Sequence, residues 1–310
     1  MKDTQIKINS EFTIIKKYLS GIGAAYLNSN GVELAGGDDC AVLATKAKLL
    51  ISTDTSVAGI HFLKSMQPHA IAYRAVSTAL SDIAAMGGVP TAFNLSLVIP
   101  TFDPSWMKDF RKGLIKISKE HKIPLIGGDL VKGPLQISVT VLGQPGRKIL
   151  LRSGAKHGDI LCLSGVLGQA YMGLKEFKAS SLINAQTKPY LFPKAQVGYA
   201  QAIAPYATAA IDVSDGIFQD LSHLIDQSNI GCELDLVKVP VADSLYQKQC
   251  LEFGDDYQLL FTVPPNKLAL LQSKIKSMGK KCHTIGVIKG TRLKILNNPF
   301  KTIKNWDHFR

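Results

Sequence analysis

The chain has 310 residues, of which 46% are hydrophobic and 19% are charged. That length predicts about two domains, and the composition is that of an ordinary globular protein. No apolar run approaches the roughly 18–20 residues that cross a bilayer, and the N-terminus lacks the apolar segment of a secretion signal. The five cysteines have no paired spacing, which argues against a disulfide scaffold or a zinc site. We therefore expect a cytoplasmic protein that spans no membrane.

The net charge of +12, from 36 Lys and Arg against 24 Asp and Glu, allows an anionic partner such as a nucleic acid or a phosphorylated small molecule. The basic clusters are short, as in KSMGKK at 276–281. None is interleaved with aromatic residues in the way of RNA-binding motifs. We interpret the basic residues as a solvated surface and expect no nucleic-acid partner.

The first half of the chain alternates predicted strands and helices. A short helix at FTIIKKYL precedes a buried strand at LLIST. PHAIAYRAVSTALSDIAAMGG predicts a helix with an apolar stripe and a C-terminal cap at Gly87. Period-2 alternation predicts strands at TAFNLSLVIP and LQISVTVLG, and between them lie the amphipathic helix PSWMKDFRKGLIKISKEH and the short strand IPLIGGD, which ends in a turn.

The turn formers of GQPGRK, at 143–148, mark the best domain boundary, and we divide the chain into domains 1–146 and 147–310. The second half continues with a turn and strand at LRSGAKHGDILCLSG and a helix around GQAYMGLKEF. It continues with IDVSDG and its helix IFQDLSHLIDQS, the strand QLLFTVPP and the helix NKLALLQSKIKSMG. Both halves are therefore α/β in character.

Acidic residues are few, yet they cluster beside Gly, Ser and Thr where strands end or helices turn. The clusters are GGDD at 36–39, STDT at 52–55, LSD at 80–82, GGD at 127–129, DVSDG at 212–216 and FGDDY at 253–257. Acids held at the ends of strands can converge on one site. Carboxylate and hydroxyl oxygens favour Mg²⁺ over softer metals, and Mg²⁺ held in this way commonly also binds substrate phosphates. The pattern predicts a shared magnesium site for a phosphorylated ligand.

Single residues of these clusters allow a structural and a functional interpretation. Asp82 lies near the end of its helix, where the helix dipole disfavours a carboxylate by roughly 0.3–1 kcal/mol, so it is either solvent-exposed or bound to a cation. Asp215, with Ser214, either caps the next helix or binds a ligand. His61 is a hydrogen-bonded loop residue or a substrate contact, and Arg152 is a surface residue or a phosphate contact. The chain has no Walker A or protein-kinase signature.

A series of motifs resembles, in the same order, that of the thiamine-monophosphate kinases. These motifs are GDDCAVL, STDTSVAGIHF, LSDIAAMGGVP, LIGGD, RSGAKHGD, AIDVSDG, GDDYQLLF and the ending NWDHF. The match runs through nearly the whole chain. The wider superfamily includes aminoimidazole-ribotide synthetase, selenophosphate synthetase and a hydrogenase-maturation protein. The resemblance implies a two-domain α/β (α+β) fold like that of aminoimidazole-ribotide synthetase, with mixed sheets flanked by helices, and a homodimer formed through the N-terminal domains.

The resemblance also implies an activity, the ATP-dependent phosphorylation of thiamine monophosphate (TMP) to thiamine diphosphate, which is the last step of thiamine diphosphate biosynthesis. It implies that domain 1–146 binds metal and ATP, that domain 147–310 completes the active site, and that several Mg²⁺ ions act with ATP as co-substrate. The implied metal ligands are Asp39, Ser52, Thr53, Asp54, Asp82, Asp129, Asp212 and Asp215. The implied ATP contacts are Gly128, Asp129, Arg152 and Ser214, and the implied TMP contacts are His61, Asp255 and Trp306. Asp54, Asp129 and Arg152 are the implied catalytic residues.

The chain departs from the family pattern at a few positions. Asp255 stands where Glu is usual and is one methylene shorter. Gly36 stands where Ile is common. Trp306 replaces a Tyr and can still stack on a thiazolium or pyrimidine ring.

Rival functions predict different features. Selenophosphate synthetase would carry a reactive Cys or selenocysteine near its N-terminus, whereas the first cysteine here is Cys40. Aminoimidazole-ribotide synthetase lacks the STDTxVAGxHF block in this form. A non-catalytic protein that binds a thiamine phosphate or a nucleotide would not release ADP, and a basic nucleic-acid-binding module would show a steeply salt-dependent affinity.

Overall fold

The computed structural model describes residues 14–34, 42–44 and 48–303, so the implied site residues Asp39 and Trp306 lie outside the described residues. The described chain divides into two compact units. Unit 1 takes the residues up to Ala79 together with Pro90–Gly143, and unit 2 takes Leu80–Val89 and the residues from Gln144 onward. Among the helices in these ranges, none is both long enough and apolar enough to cross a membrane.

Unit 1 is built on a mixed β-sheet. Its strands are β3 (Leu50–Val57), β4 (Gly88–Ile99), β5 (Leu125–Lys132) and β6 (Gln136–Pro145). The strand order is β3-β6-β4-β5, with β3 antiparallel to β6 and β4 parallel to β5. Two short strands, β1 (Val32–Leu34) and β2 (Val42–Leu43), pair separately, and a π-helical turn at Ile15–Leu19 stands where the sequence predicts the first helix.

The two long helices of the N-terminal half follow the sequence closely. Helix α1 spans Pro68–Ala85 and helix α2 spans Pro104–His121. Helix α2 begins as predicted because the Asp103 side chain accepts the Ser105 N–H at 2.8 Å. Helix α1 is buried on more sides than its apolar stripe predicts, since every residue from 70 to 81 is buried, including the polar Arg74. Most of these side chains are Ala, Ser or Thr, and their small size permits that packing.

Helices α1 and α2 approach each other closely at Gly113. A Cβ atom there would lie 2.1 Å from the carbonyl oxygen of His69 and 2.8 Å from the Cβ of Ala72. Both contacts are far shorter than normal packing distances, and one of them is to backbone. Glycine therefore sets the distance between the two helices.

Gly113→Ala is expected to lower the free energy of unfolding by about 2 kcal/mol or more, although alanine ordinarily stabilises a helix interior by about 1 kcal/mol. The matched control is Gly198→Ala in a shorter helix, Val197–Ile203, where a Cβ would meet no atom within 4 Å. That control is expected to gain about 0.5–1 kcal/mol. Urea unfolding measures both, and effects of the same sign would contradict the close contact between α1 and α2.

Asp54 and Asp129 lie inside strands β3 and β5, not at strand ends as the sequence predicts. Asp has a low strand propensity in general. Both strands, however, are the edges of the four-stranded sheet, and edge strands tolerate charged side chains. The strands therefore continue through the two acids.

Unit 2 is built on a six-stranded sheet with the order β12-β9-β11-β7-β10-β8. Its strands are β7 (Ile160–Leu163), β8 (Ala209–Val213), β9 (Cys232–Asp235), β10 (Gln258–Val263), β11 (His283–Ile288) and β12 (Leu293–Leu296). Neighbouring strands are antiparallel except for the edge pair β9 and β12, which is parallel. The helices are α3 (Gln169–Ser180), α4 (Lys188–Leu191), α5 (Val197–Ile203), α6 (Ile217–Ser228), α7 (Gln247–Glu252) and α8 (Pro265–Ser277).

The two faces of this sheet have separate cores. One face packs against α6, with Ile211 of β8 and Leu224 in the same cluster. The opposite face packs against α5 and α8, with Phe261 and Ile275 in the other cluster. Because successive side chains of a strand alternate between faces, Ile211 on the first face directs Asp212 to the second.

Candidate active site

Strand β3 presents its acidic cluster on two faces. Ser52 and Asp54 share one face and are half-buried, whereas Thr53 is on the other face and is exposed. The Thr53 hydroxyl lies 2.9 Å from the hydroxyl of Thr140, which is directly opposite on β6. The structure therefore places the Ser52 and Asp54 side chains on one face of β3 and turns the Thr53 side chain away from them.

Strand β5 presents Gly128 and Asp129. Gly128 has a φ of +151°, and a Cβ there would lie 1.8 Å from the carbonyl oxygen of Leu95, so glycine is required. The Asp129 side chain is exposed, and its Oδ1 accepts the N–H of Leu130 at 2.9 Å. The carboxylate is thus held on an exposed strand, where a ligand can reach it.

His61 is held in the loop after β3. Its Nδ1 accepts the N–H of Val57 at 2.9 Å. In a neutral imidazole the accepting nitrogen carries no proton, so the hydrogen is on Nε2. His61 is therefore hydrogen-bonded within its loop, in the tautomer that has Nε2 as donor, and this bond is compatible with either interpretation of the residue.

Asp212, one of the implied metal ligands, has a raised pKa. It is buried, and the Ser81 hydroxyl donates to its Oδ2 at 2.6 Å. Burial and the neighbouring charge of Asp82 raise the pKa of Asp212 to about 7, whereas Ser81 and Arg152 act in the opposite direction. Asp82 itself is half-buried on the last turn of α1, so the solvent-exposed alternative is wrong. A bound cation would relieve the repulsion between the two carboxylates.

Asp220 supports the turn that follows β8. Its Oδ2 accepts the backbone N–H of Ser214 at 3.0 Å and that of Asp215 at 3.1 Å. Burial, together with the charge of Asp212, raises the pKa of Asp220 to about 8. Gly216 is the N-cap residue of α6, so Ser214 and Asp215 precede the cap position and do not occupy it.

Asp255 has a left-handed backbone, with a φ of +63°, directly after Gly254 at +73°. Among non-glycine residues Asp and Asn adopt this conformation most readily. Asp is therefore well suited to this position of the chain. The Asp255 N–H donates to the carbonyl oxygen of Ser214 at 2.8 Å, so the turn at Asp255 is joined to the turn after β8.

The adjacent Asp256 has a structural role. It is buried, and its carboxylate accepts the N–H groups of Gly168 and Ala170 at the start of α3. Burial raises its pKa to about 7. Of the two acids in FGDDY, Asp256 therefore anchors the helix.

The oxygen donors of each unit suit magnesium. Unit 1 offers Asp54 and Asp129, and unit 2 offers Asp82, Asp212 and Asp215, which are the hard ligands that Mg²⁺ prefers. Over residues 14–34, 42–44 and 48–303, no three His, Cys, Asp or Glu residues are grouped closely enough to hold a metal ion. A magnesium ion would therefore need further oxygen ligands, and Mg²⁺ commonly takes these from water and substrate phosphates.

Ser81 and Asp220 are not among the residues predicted from the sequence. Asp220 carries a usable signal, because it lies three residues after Ile217 and four before Leu224 and so falls on the apolar stripe of α6. An acid on a buried stripe is unusual and indicates a specific partner. Ser81 carries no such signal, since its partner Asp212 is 131 positions away in the sequence.

Known protein families and single relatives match almost the whole length of the chain. The N-terminal domain of AIR synthase related proteins matches residues 37–144, and the C-terminal domain of these proteins matches residues 144–296. The thiamine-monophosphate kinase of Buchnera aphidicola subsp. Schizaphis graminum is 36% identical, over 97% of this chain and 99% of its own.

Solved structures give the same relationship. The thiamine-monophosphate kinase from Stenotrophomonas maltophilia K279a has a TM-score of 0.82 and 31% identity, covering 90% of this chain and 95% of its own. AaThiL complexed with AMPPCP and TMP has a TM-score of 0.76 and 29% identity, covering 86% of this chain and 89% of its own. The chain therefore belongs to the thiamine-monophosphate kinases, within the family of AIR synthase related proteins.

Proposed function

We propose that this chain transfers the γ-phosphoryl group of ATP to TMP and so forms thiamine diphosphate and ADP. Its membership of the thiamine-monophosphate kinases supports this reaction, as does a relative solved with AMPPCP, an ATP analogue, and TMP. Within the chain itself, the observation that carries the proposal is the buried Asp212, whose pKa is raised by burial and by the neighbouring charge of Asp82, with Arg152 acting in the opposite direction. Carboxylates and a guanidinium in mutual range are the groups that bind a cation and phosphate oxygens.

Magnesium would be held by oxygen donors of both units. In unit 1 these are Ser52, the Thr53 carbonyl, Asp54 and Asp129, and in unit 2 they are Asp82, Asp212 and Asp215, with Asp39 as a further ligand. When bound, the ions supply charge neutralisation of the phosphoryl oxygens. That charge matters because two unit charges about 4 Å apart repel by ~4 kcal/mol at an effective dielectric constant of 20.

The transfer is direct. An oxygen of the TMP phosphate attacks the γ-phosphorus, the bond from that phosphorus to the β–γ bridging oxygen breaks, and ADP leaves with the electron pair. A phosphate monoester with a second pKa near 6 is already mostly dianionic at neutral pH, so no side chain has to remove a proton. Trapping of a phosphorylated enzyme by rapid quench would contradict this mechanism.

The remaining implied residues bind the two substrates. Arg152 is exposed, and its guanidinium suits the nucleotide phosphates. Gly128 lets the nucleotide approach the backbone closely, and Ser214 is a further nucleotide contact. His61, through Nε2, and Asp255 contact TMP, together with Trp306.

A homodimer formed through the N-terminal domains is part of the proposal. Strands β3 and β6 join hydroxyls in two pairs, Thr53 with Thr140 and Thr55 with Ser138, and Ile51 beside them is 61% exposed. An exposed apolar residue in a row of paired hydroxyls suits a contact with a second copy of the sheet. Sedimentation equilibrium measures the assembly. The division of roles between domains 1–146 and 147–310, and a cytoplasmic location, belong to the same proposal.

A coupled ADP-release assay tests the function. We expect ADP release that requires both TMP and Mg²⁺ and that stops when EDTA removes the metal. Formylglycinamidine ribotide in place of TMP is expected to give none, which separates this chain from aminoimidazole-ribotide synthetase. Binding of TMP without ADP release would instead indicate a non-catalytic binding protein.

Asp255→Asn is expected to raise the KM for TMP about tenfold, with a smaller effect on the KM for ATP. Asn keeps the left-handed turn but removes the charge, and a hydrogen bond to a charged group contributes about 1.5–3 kcal/mol. Steady-state kinetics measures both constants. The control is Asp226→Asn, which makes the same charge change at an exposed position of α6. An unchanged KM for TMP would remove Asp255 from the TMP site.

A further inference from the structure

Two turns of unit 2 are joined through their backbones. We call residues 213–216 the first turn and residues 253–257 the second turn; the first contains implied metal and nucleotide residues, and the second contains the implied TMP residue. Two backbone hydrogen bonds connect them: the Asp255 N–H to the Ser214 carbonyl oxygen at 2.8 Å, and the Tyr257 N–H to the Val213 carbonyl oxygen at 2.9 Å.

Glycines bring the two turns into direct contact. A Cβ on Gly254 would lie 2.1 Å from the carbonyl oxygen of Ser214, and a Cβ on Gly216 would lie 2.7 Å from the carbonyl oxygen of Glu252. Both glycines also have positive φ angles, +73° and +100°. The turns therefore touch backbone to backbone, and a shift of one displaces the other.

Asp220 fixes the first turn from behind. Its side chain is on the first part of α6, it is 2% exposed, and one of its carboxylate oxygens accepts two consecutive amides, those of Ser214 and Asp215. The flanking residues Ile217 and Leu221 are fully buried in the core against the sheet. The buried helix thus holds the Asp220 carboxylate in place, and the carboxylate fixes the backbone position of the first turn.

We propose that Asp220 is a positioning residue for the acceptor substrate. It holds the amides of the first turn, the carbonyl of Ser214 in that turn holds the amide of Asp255, and Asp255 contacts TMP. Asp220 thereby couples the metal and nucleotide residues to the TMP residue without touching either substrate. This inference rests on the proposed function, since it assigns a role in TMP binding to Asp255.

The first test compares Asp220→Ala with Asp220→Asn. The Ala variant leaves two partly buried amides without their acceptor, and we expect the KM for TMP to rise and kcat to fall, each by about tenfold. The Asn variant keeps an acceptor oxygen, so we expect it to recover to within about threefold of wild type. A purely structural role would lower the melting temperature of the Ala variant and leave KM unchanged per folded molecule, which would overturn the proposal.

The second test is a double-mutant cycle on the KM for TMP. If Asp220 acts through Asp255, then Asp220→Ala combined with Asp255→Asn raises KM no further than the larger single effect. The control is Ser222→Ala, which removes a 2.8 Å hydrogen bond to the Phe218 carbonyl in the same helix and is expected to leave the effect of Asp255→Asn unchanged. If the double variant instead raises the KM for TMP by the product of the two single effects, the residues act independently and the proposed coupling is contradicted.

A third measurement uses the wild-type chain and so remains decisive if the Ala variant does not fold. Hydrogen exchange is followed with Mg²⁺ and AMPPCP and without them. We expect the amides of Asp255 and Tyr257 to gain protection together with those of Ser214 and Asp215. Protection confined to the first turn would overturn the proposal. If the wild-type chain shows no TMP-dependent ADP release, that result contradicts the proposed function, whatever the pattern of hydrogen exchange.

Discussion

The Asp212→Asn variant is expected to lose at least about 100-fold in turnover and, in metal-free buffer at pH 8, to unfold at a higher temperature than the wild type. The loss follows from the proposed role of Asp212 as a magnesium ligand, which a neutral amide fills poorly. The gain in stability follows from the environment of the side chain. Asp212 is buried beside Asp82, so its charged form is disfavoured in the folded chain.

The gain depends on pH in a defined direction. The pKa of Asp212 is raised from 3.8 to about 7, so the folded chain binds this proton more tightly than the unfolded chain. The stability that the protonated form provides is present below pH 4 and is lost as the pH rises through about 7. At pH 8 the wild type bears the full cost, on the order of 2–4 kcal/mol, and the Asn variant does not. At pH 5 the two should differ little.

Thermal unfolding at pH 5 and pH 8, in EDTA and in Mg²⁺, measures these effects. Mg²⁺ is expected to stabilise the wild type at pH 8 and to stabilise the variant much less, because a ligand stabilises only the state that binds it. The Asn side chain keeps an acceptor for the Ser81 hydroxyl, so lost packing does not complicate the comparison. A variant that is less stable than wild type at pH 8 would show that the carboxylate is not under repulsion.

Asp54→Asn and Asp129→Asn are each expected to lower kcat/KM by at least about 100-fold while the melting temperature stays close to that of the wild type. Both residues lie on edge strands, and neither substitution changes the size of the side chain. At Asp129 the Asn oxygen can still accept the Leu130 N–H. The expected loss therefore comes from the missing charge at the proposed metal, and raising the Mg²⁺ concentration should recover part of the activity.

The matched control for these two variants is Asp103→Asn. It makes the same charge change in the same unit, and Asn remains a good N-cap for α2. Steady-state ADP release at several Mg²⁺ concentrations compares all the variants. Near-normal rates for both Asp54→Asn and Asp129→Asn would show that the metal assignment in unit 1 is wrong.

The sequence predicts best those helices and strands whose ends are marked by local signals such as capping residues and proline. Helix α2 is an example, since Asp103 caps it and Pro104 occupies its first turn. Strands β9 and β12 escape prediction because each has only four residues and includes a charged one, whereas the equally short β7 is a continuous apolar run. Strands β3 and β5 run through their acids because edge positions relax the usual preference against Asp, and which strands are edges is decided only by the whole sheet.

The candidate site, like the fold, is predicted from the sequence only in part. The acid clusters are visible along the chain, and so is the family to which the chain belongs. The sequence does not show that Ser81 donates to Asp212, since the contact depends on how the end of α1, which belongs to unit 2, packs within that unit. It also does not show that Asp256 belongs to a helix cap while its neighbour Asp255 takes a left-handed turn. Adjacent acids of the same kind receive different roles from tertiary contacts.

The backbone contact between residues 213–216 and residues 253–257 limits how these segments can be exchanged by engineering or changed in evolution. Each segment fits the other through carbonyls, amides and glycines, so neither can be exchanged alone. A chimera that takes one segment from a relative should therefore take the other as well. Among related sequences, a change in one segment should therefore be accompanied by a change in the other, although the two segments are far apart in the chain.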